Sequence, residues 1–70
     1  MKKLSVNEFE KMYGAVGDVV GTTDDVTNLY VSDDEECAYI GVEYSNGDLY
    51  VYGARIDRKT TVAELEQLLQ

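Results

Sequence analysis

Ala38-Tyr39-Ile40-Gly41-Val42-Glu43-Tyr44-Ser45-Asn46-Gly47-Asp48-Leu49-Tyr50-Val51-Tyr52-Gly53-Ala54-Arg55-Ile56 is the stretch that decides the fold. Two β-branched and aromatic runs flank Asn46-Gly47, a pair favoured in type I′ turns because both central residues need positive φ. The spacing predicts strands over 38–44 and 49–56. With Asn46 and Gly47 as a two-residue loop, Tyr44 faces Leu49, Val42 faces Val51 and Ile40 faces Gly53. That register collects the aliphatic residues on one side of the sheet. Tyr39, Gly41, Glu43, Tyr50, Tyr52 and Ala54 fall on the other.

Working outward, Val26 to Val31 reads as a further strand ending at Ser32, with Leu29 and Val31 on the aliphatic side and Asn28 and Tyr30 on the tyrosine side. Asp33, Asp34, Glu35 and Glu36 repel one another and stay solvated, which makes them a connecting loop. Residues 17–25 fit either a short edge strand or a bend. Ser5-Val6-Asn7-Glu8 has the form of a capping box, opening a helix whose stripe is Val6, Phe9, Met12 or Tyr13, and Val16, ending near Ala15. Asp57-Arg58-Lys59 reads as a polar connection. Thr61-Val62-Ala63-Glu64 repeats the capping pattern before a second stripe of Val62, Leu65, Leu68 and Leu69.

The expected fold is a small single α+β domain over residues 1–70: helix, three-stranded antiparallel sheet, helix, with both helices on one face of the sheet. The tyrosine face is then open. One helix on each face would instead make the tyrosines core residues; the match between aliphatic face and helix stripes favours the first arrangement.

Charge narrows the function. The chain of 70 residues carries a net charge of -8, and between Met12 and Ala54 it has nine carboxylates with no Lys or Arg. This disfavours nucleic acid and anionic membranes as direct ligands, since both bind through Lys and Arg. A charged partner should be a basic protein. Cys37 is alone, so an intrachain disulfide is excluded, and without His there is no standard zinc site. No cofactor is expected. The lone Cys, the lack of an apolar segment after Met1-Lys2-Lys3 and the absence of a run of roughly 20 apolar residues point to a soluble, cytoplasmic protein.

Catalytic patterns are absent. The commonest general base, His, is missing, and the four acids before Cys37 disfavour the thiolate that a reactive cysteine needs. The spacing of an EF-hand loop does not occur, and Gly14, Gly17 and Gly21 surround Asp18 with no cation to neutralise phosphate. Ser32 to Glu35 has the form of an acid-directed phosphorylation site. The chain is therefore expected to be no enzyme. What remains is a surface on which Tyr30, Tyr39, Tyr50 and Tyr52 anchor a partner, while Asp33, Asp34, Glu35, Glu36 and Glu43 supply negative charge.

In size and charge the chain resembles the small acidic inhibitors of phages and mobile elements, including anti-restriction and anti-CRISPR proteins. That resemblance is carried by no specific motif. It implies a nucleic-acid mimic that occupies the basic nucleic-acid-binding surface of a target enzyme. The alternative is a small assembly module, such as a homodimer pairing tyrosine faces or sheet edges, whose acidity serves only solubility.

Overall fold

Antiparallel backbone pairing joins five strands in the order β1-β2-β3-β4-β5, in a computed structural model that describes residues 1–21, 24–34 and 38–70. The strands are β1 (Lys2–Ser5), β2 (Val26–Val31), β3 (Tyr39–Tyr44), β4 (Leu49–Gly53) and β5 (Asp57–Lys59). Helices α1 (Val6–Tyr13) and α2 (Val16–Val20) lie between β1 and β2, and α3 (Val62–Leu68) follows β5. Among the described residues no helix is long and apolar enough to cross a membrane.

The expectation of three strands and two helices is thus corrected to five and three. Both extra strands are edge strands, where apolar alternation is not required and charge discourages pairing with other chains. β5 is Asp57-Arg58-Lys59, exposed throughout, and β1 contributes a single buried side chain, Leu4. α2 has five residues, too few for a helical period to show in the sequence. The second hairpin strand stops at Gly53, where its amide donates to the Ile56 carbonyl at 2.9 Å and turns the chain into β5.

The hairpin register also differs from expectation. Ile40 faces Tyr52, Val42 faces Tyr50 and Glu43 faces Leu49, one residue away from the two-residue-loop pairing. The turn has three residues, Ser45-Asn46-Gly47: the Gly47 amide donates to the Tyr44 carbonyl and the Tyr44 amide to the Asp48 carbonyl, both at 2.9 Å. Gly47 alone in the turn has positive φ, at 92°, as in a type I turn closed by a left-handed residue. Asn46 acts through its side chain instead, its amide oxygen accepting from the Asp48 N–H at 3.0 Å. Because side chains alternate along a strand, this single step moves Tyr50 and Tyr52 to the side of Ile40 and Val42.

Both faces of the sheet are covered, which overturns the placement of both helices on one face. On the first face Leu4, Phe9, Val16, Leu29, Val31, Ile40 and Val42 form a core closed by α1 and α2. A bulge between Val26 and Asn28 lets Val26 join the same cluster as Leu29. On the second face α3 lays Leu65 and Leu69 against Tyr30 and Val51. Leu65 can seat there because Gly41 has no side chain: a Cβ on Gly41 would lie 2.7 Å from a Leu65 methyl and 3.0 Å from the Tyr30 Cβ.

Capping sets where the helices start. Ser5 Oγ accepts from the Glu8 amide at 3.1 Å while the Glu8 carboxylate accepts from the Ser5 amide at 3.0 Å, the capping box read from the sequence. These bonds, the backbone one foremost, hold Glu8 below the usual glutamate range. At α3 Thr61 Oγ1 accepts from the Glu64 amide at 3.2 Å, but the Glu64 carboxylate turns to the Arg58 guanidinium at 2.6 Å and the Thr60 hydroxyl at 2.5 Å. That clasp fastens α3 to β5.

Filling the notch that receives α3 should loosen the fold. Gly41→Val is expected to cost about 1–3 kcal/mol by overpacking, and Leu65→Ala about 2–5 kcal/mol by leaving a cavity. Urea unfolding of the two variants measures both. Midpoints equal to that of the parent chain would show that α3 does not rest on this face.

Candidate functional site

β2 and β3 run antiparallel, so Asp33 and Asp34, just past the end of β2, and the Ser45–Gly47 turn stand at opposite ends of β3. Five residue steps separate Tyr39 from Tyr44, a length of roughly 17 Å. The partner-binding residues expected from sequence are accordingly not gathered in one place. Tyr30 is 8% exposed and lies in the core beneath α3, with the Lys3 ammonium 5.8 Å from its ring centroid. Tyr39 is half-buried on that same face, its ring so close across Gly53 that a Cβ there would stand 2.6 Å from it. Glu43 is half-buried and paired with Lys3 at 3.6 Å.

Asp33 and Asp34 are exposed at the far end. Asp33 lies 2.8 Å from the Met1 amino group, and Asp34 accepts from the Ser32 hydroxyl at 2.6 Å. Ser32 is 4% exposed, so the folded chain does not offer its hydroxyl for phosphorylation. Glu35 and Glu36 lie outside the described residues, as does Cys37. The open face carrying Tyr30, Tyr39, Tyr50 and Tyr52 together does not form, because the one-residue shift sends the last two to the opposite side.

There they meet Tyr44. The Tyr44 and Tyr50 rings stand edge to face at 87° with centroids 5.4 Å apart, and Tyr50 and Tyr52 stack at 23° and 6.3 Å. Tyr44 and Tyr52 join their hydroxyls at 2.9 Å. Burial foremost, and then the bond to Tyr44, pushes the Tyr52 phenol well above the usual tyrosine range. That shift favours the neutral phenol, and the carboxylates of the site are its aspartates.

Those aspartates arrive from two turns. The Ser45 amide donates to the Asp25 carbonyl at 2.7 Å, tying the Asp24-Asp25 turn before β2 to the β3–β4 turn. Asp25 holds a left-handed φ of 63°, a conformation that Asp and Asn tolerate better than most side chains. The result is an open groove of about 530 Å³ lined by Asp24, Asp25, Tyr44, Ser45, Asn46, Asp48, Tyr50 and Tyr52. Asp48 pairs with Lys59 at 3.6 Å and with the Asn46 side-chain amide at 3.2 Å.

No family model, curated protein or solved structure matches the chain. The groove must therefore be judged on its own chemistry. Aromatic faces attract cations, by about 0.5–1 kcal/mol per exposed contact and more when water is excluded. Surface carboxylates add attraction that depends on salt. Among the described residues no group of three or more His, Cys, Asp or Glu is placed to hold a metal ion. Three tyrosines beside three aspartates instead suit an organic cation, of which the side chains of Arg and Lys are the commonest.

Tyr44, Asp24, Asp25 and Asp48 were missed from sequence. Reading Ser45-Asn46-Gly47 as a three-residue loop, a permitted alternative for a turn ending in glycine, would have placed Tyr44 beside Tyr50 and Tyr52. Nothing in the sequence brings Asp24-Asp25 to that turn, since the link is a backbone bond from Ser45.

The phenol pair sets a pH dependence. A raised folded pKa contributes stability that is whole below the ordinary tyrosine range and is lost as pH climbs through the folded value. Alkaline titration followed by tyrosinate absorbance should leave Tyr52 un-ionised until the fold opens, and Tyr52→Phe should remove that late step. Tyr44→Phe is expected to cost about 0.5–1.5 kcal/mol and to let Tyr52 ionise earlier. Simple titration of every tyrosine together would contradict the hydrogen-bonded phenol pair.

Proposed function

We propose that the chain is a non-enzymatic acidic protein-binding module that occupies the basic, nucleic-acid-binding surface of a target protein and so inhibits it. The observation that carries this reading is the groove, which Asp24, Asp25 and the Lys59-paired Asp48 line together with three tyrosines. Tyrosine supplies stiff contact area with a polar tip, and the carboxylates supply the charge that a basic surface attracts. Asp34, and Asp33 paired with the Met1 amino group, are exposed at the other end of β3, and Glu35 and Glu36 follow them in sequence. Spreading charge over both ends of the sheet suits a partner whose basic surface is long enough to hold a nucleic-acid backbone.

The net charge of -8 supports a protein partner over nucleic acid or membrane, because phosphate-bearing ligands would be repelled. A chain without His favours binding over catalysis. The setting that suits such an inhibitor is the cytoplasm of a cell carrying a phage or mobile element. A homodimer built on paired tyrosine faces is favoured by no observation, since Tyr30 lies beneath α3.

Capture from a cell extract at about 0.1 M salt, followed by elution towards about 1 M, tests the reading because the screening length falls from about 10 Å to about 3 Å. The expected partner is a basic protein that leaves as salt rises and whose nucleic acid competes with the module for it. Reversing Asp33, Asp34, Glu35 and Glu36 to Lys should slow association steeply. A partner retained at high salt, or one indifferent to nucleic acid, would sink the mimicry.

A further inference from the structure

The groove has features that charge alone does not require, and they bear on what the partner presents. Asp24 and Asp25 come from the β2 side, Tyr50 and Tyr52 from β4, and Tyr44 from the strand between them. The near-parallel Tyr50 and Tyr52 rings, at 23°, offer aligned aromatic faces, against which a flat cation stacks better than a spherical one. The Tyr44 and Tyr52 hydroxyls already satisfy one another, yet each oxygen retains acceptor capacity for a further donor. The volume, about 530 Å³, is that of a small-ligand or side-chain receptor.

The groove does not end at Tyr52. That ring also lines an adjoining cleft of about 510 Å³, whose other walls are the apolar Val19, Ala38, Ile40, Gly53, Ala54 and Ile56, with the charged Asp57 beside them. Val19 is 39% exposed, one of three large apolar side chains left open to solvent among the described residues. From Tyr50 to Gly53 the strand covers about 10 Å, the reach of about three residues of extended peptide. An acidic aromatic receptor and a mainly apolar one, bordered by Asp57, thus stand side by side at peptide spacing.

We propose that the Asp24–Asp25–Tyr44–Tyr50 groove receives an arginine side chain from a segment of the protein partner, and that the cleft beyond Tyr52 receives an apolar side chain two or three residues away. The inference rests on the basic-partner reading above and deepens it. Arginine is chosen over lysine because its guanidinium is planar, weakly hydrated and forked. It stacks on Tyr50 while its N–H groups donate to paired carboxylates, where a lysine ammonium would keep more of its water. Charge complementarity excludes an acidic segment, and the apolar cleft gives the arginine a fixed neighbour that a uniformly basic tail would lack.

The test is an NMR titration of the full chain with a blocked pentapeptide, glycine-arginine-glycine-leucine-glycine, against the same peptide with lysine for arginine and with alanine for leucine. The arginine-leucine peptide should shift amide signals of residues 24–25, 44–52 and 19, and bind at least about threefold more tightly than either control. Asp24→Asn with Asp25→Asn, and separately Tyr50→Ala, should each weaken it about fivefold or more, whereas Asp33→Asn with Asp34→Asn should change it less than about twofold. Asp24→Asn with Asp25→Asn alters only exposed residues, so it remains informative if Tyr50→Ala fails to fold. Equal binding of the arginine and lysine peptides would overturn the stacking receptor, and shifts centred on Asp33 and Asp34 would overturn the groove while leaving the basic-partner reading in place. No binding of any peptide overturns this inference; the broader reading falls with it only if the salt-sensitive partner is also missing.

Discussion

The three-residue turn at Ser45–Gly47 fixes which side of the sheet every residue of β4 occupies. Two backbone bonds, from Gly47 and Tyr44, and the Asn46 side chain on the Asp48 amide close it. A two-residue turn would differ by one position and would invert the whole strand, because side chains alternate along it. From that single step follow the partnership of Tyr44, Tyr50 and Tyr52 and the burial of Val51 under α3. The Ser45 amide then fastens Asp25 beside the rings, so the turn also assembles the acidic half of the groove.

Covering both faces changes what the aromatic residues are for. A sheet of this size closed by helices on both sides leaves few side chains over for recognition, and Tyr30 is spent on the core beneath Leu65. The notch at Gly41 makes that closure possible. α1 covers the β1 and β2 side of the first face, α2 reaches towards β4 through Val19 beside Tyr52, and the Tyr44, Tyr50 and Tyr52 rings line the rest of that side next to the turn. Charge is then distributed at the two ends of β3, with Glu43 between them neutralised by Lys3.

Much of this was legible in the sequence. The strands around residues 26–31, 39–44 and 49–53 announce themselves by β-branched and aromatic runs, and the Ser5 cap by its Glu8 partner. The register was not, because Asn-Gly serves two loop lengths and the choice lies in a side-chain bond from Asn46 that composition does not reveal. β1 and β5 escaped notice because edge strands carry charge where inner strands carry apolar alternation. α2 was too short to show a period. Of the site, Tyr50 and Tyr52 were found for a face they do not occupy, and Tyr44, Asp24, Asp25 and Asp48 emerged only once the turn had been placed.

Side-chain contacts across the β3–β4 hairpin, read by nuclear Overhauser spectroscopy, test the register most directly. The account predicts cross-strand contacts between Ile40 and Tyr52 and between Val42 and Tyr50, with the Tyr44, Tyr50 and Tyr52 rings in mutual contact. Contacts joining Tyr44 to Leu49 and Val42 to Val51 would mean a two-residue turn, and the groove with its aspartates and stacked rings would not exist.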